Sequence, residues 1–250
     1  MIFTIASREL RSLFFSPLAW VVLAIVQLLM SYFFLIYIER YTLMQSNLAQ
    51  MANAPGVTEV VVAPFFDTVS VILLLVMPII TMRLLSEEYR NQTLPLLFSA
   101  PVSMTEIVLG KYLGIIIFLG MMIVLLCFMP LSLAIGTNLD EGLVSTCIIG
   151  LLLLTAAFAA VGLYISSLTT QPTIAAVGTF GVLLLLWIVD AAGTTASEGT
   201  SVLTYLSILK HYQSFLRGIL SSTDIIYYLL FIGTFLVLGI RRLDSHRLQD

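Results

Sequence analysis

Six long apolar stretches constrain the fold of this 250-residue chain more than any other feature of its sequence. A bilayer core of about 30 Å is crossed by roughly 20 apolar residues in an α-helix, and each stretch comes close to that length. Only 10% of the residues are charged and 60% are hydrophobic, which excludes an ordinary soluble enzyme. The sequence therefore predicts an all-α integral membrane protein, one domain over residues 1–250, with six transmembrane helices at about 17–38, 65–85, 107–135, 143–168, 172–189 and 225–240.

The basic residues predict the orientation of these spans. An even number of spans places both termini on one side, and eight of the eleven Lys and Arg residues fall on that side. The other three are Arg40, Lys210 and Arg217. Because loops rich in Lys and Arg stay in the cytosol, we expect both termini to be cytosolic. The small net charge of −3 provides no basic patch for nucleic acid, so no nucleic-acid partner is expected.

The predicted membrane core lacks the residues that catalysis, nucleotide binding or ion binding would need. Between the two interfaces it contains no Asp, Glu, Lys, Arg or His, whereas a secondary transporter normally needs ionisable groups or broken helices there to bind coupling ions. Gly110-Lys111 is followed by Tyr112 rather than Ser or Thr, so it is not a P-loop. Cys127 and Cys147 lie in apolar runs without metal-ligand spacing. We expect no catalytic, cofactor-binding or metal-binding residues in this chain, and an energy source outside it.

The polar segment between the second and third predicted spans is the most elaborate part of the chain. It begins with a charged helical turn, residues 86–90, and continues with a short apolar element, residues 94–98. Ser103 and Glu106 have the spacing of a capping box, which predicts that the third helix begins there. An apolar element rimmed by charge suits docking into a partner's groove, and an interfacial loop without a partner fits the pattern equally well.

This segment resembles the loop between the second and third spans of ABC-2 type permeases. That family has a double Glu, a Thr-Leu-x-Leu-Leu run, then Pro-Val-Ser and Leu-Gly-Lys, and the chain has them in this order from Glu87-Glu88 to Lys111. The family usually has Gly before the Thr, where this chain has Gln92. The amphipathic start, residues 2–16, resembles the family's interfacial elbow helix. Residues 211–218 and 224–228 most resemble the gliding-motility-associated permeases.

The resemblance implies the transmembrane permease subunit of an ATP-driven exporter in a bacterial cytoplasmic (inner) membrane. It implies a dimer with a second copy or a sister permease, and a separate ABC ATPase that holds ATP and Mg²⁺. The gliding-type resemblance implies an outer-surface auxiliary subunit. We predict an ATPase-coupling contact formed by the cytosolic coupling loop, with two solvated Glu at a span end as the alternative. The predicted contact residues are Glu87, Glu88, Tyr89, Arg90, Leu94, Leu96, Leu97 and Phe98.

A second hypothesis comes from a different class of protein. The long outer loops, residues 39–64 and 191–223, leave room for an outer-surface partner. The chain would then be a mechanotransmitting or anchoring subunit that drives this partner without moving a cargo. The aliphatic spans fit a lipid-linked, polymeric or hydrophobic cargo and identify none of them.

The outer side is predicted to carry acidic residues and an amphipathic helix. Asp67 lies sixteen residues before Arg83, about 24 Å along a helix, so we place Asp67 and Asp190 at the outer mouth. Asp224 follows two Ser and a Thr and is predicted to be an N-cap. Apolar steps over residues 205–219 predict an amphipathic outer helix before the last span. We predict that its wet face is formed by Lys210, His211 and Arg217. Contact of these three residues with phosphate or lipid headgroups is the alternative.

Overall fold

All regular structure is helical in the computed structural model, which describes residues 1–48, 55–92, 103–193 and 207–247. A π-helical turn, Thr58–Val62, precedes the helix that begins at Ala63, and a 3₁₀ turn, Leu133–Ile135, follows the helix that ends at Ser132. The prediction of an all-α fold is confirmed for these ranges. Their nine α-helices are α1 (Ile2–Phe15), α2 (Pro17–Leu48), α3 (Ala63–Thr81), α4 (Ser86–Arg90), α5 (Met104–Ser132), α6 (Glu141–Leu168), α7 (Pro172–Gly193), α8 (Ile208–Leu216) and α9 (Ser222–Arg247).

Five of the described helical stretches are long and apolar enough to cross a membrane. They are Pro17–Ser46, Thr58–Arg90, Met104–Ile135, Glu141–Leu168 and Ser222–Ser245. The fifth predicted span falls in α7, whose described apolar part, Pro172–Ile188, is shorter than these five. The prediction of several membrane-spanning helices is therefore confirmed, and the count of six stays a prediction.

Local sequence signals mark several helix ends. The predicted capping box is present at the start of α5, where Ser103 Oγ accepts from the Glu106 N–H at 3.2 Å and the Glu106 carboxylate accepts from the Ser103 N–H at 3.1 Å. Asp140 caps α6 by accepting from two N–H groups of its first turn. Gly218 ends α8 with a φ of 78°, and the hydrogen bonds around it form a Schellman motif.

Helix α6 is the centre of the bundle, and it packs against α3, α5, α7, α8 and α9. Its most apolar stretch is 61% buried, against 22% for the corresponding stretches of α2 and α9. Gly162 of α6 allows an especially close contact, because a Cβ added to it would lie 2.2 Å from Thr81 Oγ1 of α3. The Tyr112 hydroxyl of α5 donates to the Ala156 carbonyl of α6 at 3.0 Å. The core thus forms around α6, and α2 and α9 lie at the periphery.

Short helices lie at opposite ends of this bundle. Helices α1 and α4 lie where α3 and α6 end and α5 begins, and we call this the α4 end. Helix α8 lies beside the first halves of α3, α6 and α9, and we call this the α8 end. The charge distribution of the sequence predicts that the α4 end is cytosolic.

Candidate functional site

A serine of α6 fixes the turn between α3 and α4. The Ser166 Oγ accepts hydrogen bonds from the N–H groups of Leu85 and Ser86, both at 3.0 Å, and donates to the Met82 carbonyl at 3.1 Å. The first N–H groups of a helix have no partner inside the helix, so a buried helix start needs an acceptor of this kind. Since Ser166 is itself fully buried, α4 is attached directly to the centre of the bundle.

The side chains of α4 divide between the interior and the surface. Glu87 and Arg90 are exposed, Glu88 and Tyr89 are half-buried, and Ser86 is buried. Successive residues of an α-helix point about 100° apart, which explains why the two neighbouring Glu residues differ. The contact of these residues with an ATPase stays a prediction. The other four predicted contact residues lie outside the described residues: Leu94, Leu96, Leu97 and Phe98.

Glu88 binds a buried lysine of α5. Lys111 Nζ lies 2.9 Å from Glu88 Oε1 and 3.0 Å from Glu9 Oε2 of α1. The Lys111 side chain is only 5% exposed, and a buried ammonium is stable only when it is paired. We call Glu9, Glu88 and Lys111 the charge cluster. Sequence reasoning used Lys111 as a marker of topology and assigned no role to Glu9, so the cluster was missed.

Two glycines of α5 let α1 approach this cluster closely. A Cβ added to Gly110 would lie 2.7 Å from the Ile5 Cβ, and one added to Gly114 would lie 2.8 Å from the Glu9 Cβ. Both distances are too short for real side chains, so α1 rests directly on the backbone of α5. Small residues four positions apart on one helix allow this kind of packing. The predicted amphipathic start of the chain is therefore a helix, and one side of it is held against α5.

A cleft of about 560 Å³ lies beside the exposed part of α4. Tyr89, Arg90 and Gln92 line it together with residues 170–173, which comprise the end of the turn after α6 and the start of α7. Gln92 has a φ of 55°, in the left-handed region that favours glycine. This is the position at which ABC-2 permeases usually have Gly. The α4 end thus presents exposed opposite charges, Glu87 and Arg90, next to an open polar cleft.

At the α8 end the structure corrects two expectations. His211 is 7% exposed and therefore does not belong to a wet face, whereas Lys210 and Arg217 are exposed as predicted. Asp224 is not an N-cap, because α9 begins at Ser222 and Asp224 lies inside its first turn. His211 Nδ1 lies 2.5 Å from Asp224 Oδ1. The His211 ring also stacks on Tyr227, with ring centroids 4.1 Å apart. His211 lies three positions after Ile208 and four before Phe215, a spacing that places it on the buried face of α8.

Two buried tyrosines complete the attachment of α8. The Tyr212 hydroxyl donates to the Phe66 carbonyl of α3 at 2.9 Å, and the Tyr228 hydroxyl of α9 donates to the Ile208 carbonyl at 2.8 Å. Burial holds the pKa of the Tyr212 hydroxyl well above its usual range, so this group stays a neutral donor. The predicted amphipathic helix before the last span is thus present as α8, and it is joined to both α3 and α9.

A cleft of about 600 Å³ lies at the α8 end, and Asp67 of the predicted outer mouth lines it. Glu59 and Asp67 lie on one of its walls, and Arg217 lies on another. The side chain of Asp190 lies outside the described residues, and that of Asp224 is bound to His211. The ring of acidic residues at this mouth stays a prediction. Within the described ranges, no group of three or more His, Cys, Asp or Glu residues is placed to hold a metal ion.

The architecture defines a class: an all-helical membrane protein with several apolar spans, a charged helix anchored at one end and a second short helix packed on the other. A family model described as ABC-2 family transporter protein matches residues 3–246, and the chain belongs to this family. Members of the family are membrane subunits, normally not catalytic, that generally work with an ABC ATPase. No curated protein matches the chain. The family resemblance is confirmed, and the gliding-motility subfamily stays a prediction.

Proposed function

We propose that this chain is the transmembrane permease subunit of an ATP-driven ABC-2 type exporter, which couples ATP hydrolysis in a separate ATPase subunit to substrate movement. The observation that supports it best is the construction of α4. Its surface carries Glu87 and Arg90, while Ser166 and Lys111 hold its inner face against the bundle. A surface helix anchored in this way transmits its displacement to the spans, whereas a loosely attached helix would move without displacing them.

The complete subunit in this proposal has six spans, with α7 as the fifth, and lies in a bacterial inner membrane with both termini cytosolic. It pairs with a second copy or a sister permease to form the translocation path. An auxiliary subunit of the gliding-motility type would bind at the α8 end. ATP and Mg²⁺ belong to the partner ATPase.

The proposal is tested by purifying the tagged protein from its native membrane in a mild detergent. We expect a stoichiometric P-loop ATPase to be recovered with it. The double variant Glu87→Lys/Arg90→Glu reverses both exposed charges of α4 and should lower ATPase recovery about tenfold or more, since 1.4 kcal/mol of lost affinity is already tenfold. The matched control, Glu141→Lys, reverses an exposed charge at the α8 end and should leave recovery unchanged.

Two results would contradict this assignment at different levels. Recovery of the wild-type protein without any ATPase, in several detergents, would contradict the permease function. Equal ATPase recovery by wild type and by the α4 double variant would keep the function and remove Glu87 and Arg90 from the contact.

A second candidate function is a mechanotransmitting subunit, and it is favoured by the firm attachment of α8. Helix α8 is bonded to α3 through Tyr212 and to α9 through Tyr228 and Asp224, so movements of these spans reach the surface of the α8 end. Vesicles reconstituted with the permease and its ATPase separate the two functions. ATP-dependent movement of a labelled hydrophobic cargo supports the exporter. ATP-dependent exposure changes at α8 without any such movement support the mechanical subunit.

A further inference from the structure

The two neighbouring glutamates of α4 face different surroundings. Glu87 is exposed, whereas the Glu88 side chain is 18% exposed and lies 2.9 Å from a lysine that is itself only 5% exposed. A carboxylate bound to a buried ammonium is not available to a docking partner without breaking that pair. Glu88 therefore belongs to the internal structure of the α4 end, and Glu87 belongs to its surface.

The charge cluster joins three helices that are far apart in sequence. Glu9 of α1 lies 102 positions before Lys111. Residues 91–103 separate α4 from α5 along the chain, so the covalent connection does not by itself bring Glu88 to Lys111. The backbone of α4 packs on α6 and α7. The Glu88–Lys111 pair is thus a side-chain bridge from α4 to α5 and, through Glu9, to α1.

The surroundings of Lys111 make this bridge stiff. The adjacent Gly110 and the nearby Gly114 press α1 against α5, which leaves little room for the Glu9 side chain to move. Buried ion pairs are screened far less by salt than exposed ones. Removing one partner of such a pair is strongly destabilising because it leaves a buried charge uncompensated. A displacement of α4 therefore carries Lys111, and with it α5 and α1, rather than stretching the pair.

We infer that Lys111 is a positioning residue that makes α1, α4 and the beginning of α5 move as one unit when a partner displaces α4. Glu88 is the connection from α4 into this unit, and Glu87 and Arg90 are the contact with the partner. This inference rests on the proposed function, because it takes an ATPase as the partner that moves α4. It assigns opposite tasks to the two members of the double-glutamate motif.

The test measures the movement of α1 in the complex with the co-purified ATPase. Spin labels are attached at Ser7→Cys on exposed α1 and at Ser245→Cys on α9, in a background that carries Cys127→Ala and Cys147→Ala. Labelled chains are diluted with unlabelled ones so that the distance within one chain is read. The distance is compared without nucleotide and with ATP under conditions that block hydrolysis. In the otherwise unchanged chain we expect an ATP-dependent shift.

The matched variants are Glu88→Gln and Glu87→Gln. Glu88→Gln leaves the Glu9–Lys111 pair intact, so the chain keeps its fold, as its unchanged elution and melting profile would show. We expect this variant to bind the ATPase normally and to lose the ATP-dependent shift of α1. Glu87→Gln should weaken ATPase binding, while the complex that does form keeps the shift. The triple charge exchange Glu9→Lys/Glu88→Lys/Lys111→Glu re-forms both ion pairs with their signs reversed, so it should restore the shift.

Each contrary outcome has a distinct meaning. A full α1 shift in Glu88→Gln, or a failure of the charge exchange to restore the shift, overturns the positioning role and leaves the permease function standing. Loss of ATPase binding in Glu88→Gln makes Glu88 a docking residue and also overturns the inference. The absence of any shift in the unchanged complex shows that α1 is not carried along. If no ATPase binds the unchanged chain, the proposed function fails and the inference fails with it.

Discussion

The two ends of this protein attach a short helix to the bundle in similar ways but lock it with different chemistry. At the α4 end, α1 rests on the backbone of α5 at Gly110 and Gly114, and at the α8 end α8 rests on α6 at Gly150, where an added Cβ would lie 2.6 Å from the Phe215 Cβ. The α4 end is then locked by an ammonium between two carboxylates. The α8 end is locked by a histidine–aspartate pair and two tyrosine hydrogen bonds.

The two attachments differ in whether their contacts extend to the protein surface. The charge cluster of the α4 end includes Glu88, whose helix also carries the exposed Glu87 and Arg90, so the lock continues to the surface. The lock of the α8 end is closed, because His211 and Asp224 are each 7% exposed and face each other. This difference supports the proposal that the α4 end exchanges force with a partner, whereas the contacts of the α8 end stay inside the protein.

The largest expected effect comes from removing one partner of the His211–Asp224 pair at the α8 end. Asp224→Ala removes the carboxylate that binds the buried His211 and should lower the free energy of unfolding by about 2–3 kcal/mol, because a buried hydrogen bond to a charged group is lost. The measurement is the thermal unfolding midpoint of the purified protein in detergent. The double variant His211→Phe/Asp224→Leu removes both polar partners and should recover most of the loss, since an apolar pair of similar volume needs no compensation. Unfolding of Asp224→Ala at the wild-type temperature would contradict the claim that the His211–Asp224 pair stabilises the α8 end.

A smaller effect compares the two glycine contacts directly. Gly150→Ala forces a methyl group against Phe215, which is fully buried, and should cost about 1–3 kcal/mol as an overpacked contact. Gly110→Ala meets Ile5 of α1, which is only half-buried, so the clash disturbs fewer buried neighbours and should cost less. Gly120→Ala is the control, because nothing lies within 4 Å of its added Cβ. Equal losses of the unfolding midpoint for Gly150→Ala and Gly110→Ala would show that the two attachments are equally rigid.

The smallest effect concerns the turns that end α4 and α8. Both turns contain a left-handed residue, Gly218 with a φ of 78° after α8 and Gln92 with a φ of 55° after α4. Gln92→Gly should stabilise the protein by about 1 kcal/mol, because a side chain in this conformation costs roughly 1–2 kcal/mol and the extra freedom of glycine in the unfolded chain offsets part of the gain. Asn91→Gly is the control and should destabilise, since Asn91 has an ordinary φ of −85°. A lower melting point for Gln92→Gly would reject this account of the α4 turn.

Sequence patterns predicted the features that depend on residues close together in the chain. The capping box of Ser103 and Glu106 was recognised because its partners are three residues apart and its geometry is that of any helix start. The outer amphipathic helix was predicted from its apolar spacing, although α8 is shorter than the pattern over 205–219 indicated. The amphipathic start at residues 2–16 forms the helix α1, Ile2–Phe15. The wet-face assignment of His211 failed because a titratable side chain was assumed to need water, when Asp224 supplies its partner.

The sequence alone determined that this chain is an all-helical membrane protein, and its loop motif determined the family, because apolar length and motif order are properties of contiguous residues. Only the tertiary structure decided that Glu87 faces outward while Glu88 binds Lys111, and that Glu9, 102 positions away from Lys111, shares the same site. The physical reason is that the burial of a charge is decided by its partners, and these come from helices brought together by packing. The close approach of α1 to α5 at Gly110 and Gly114 is what brings Glu9 to Lys111.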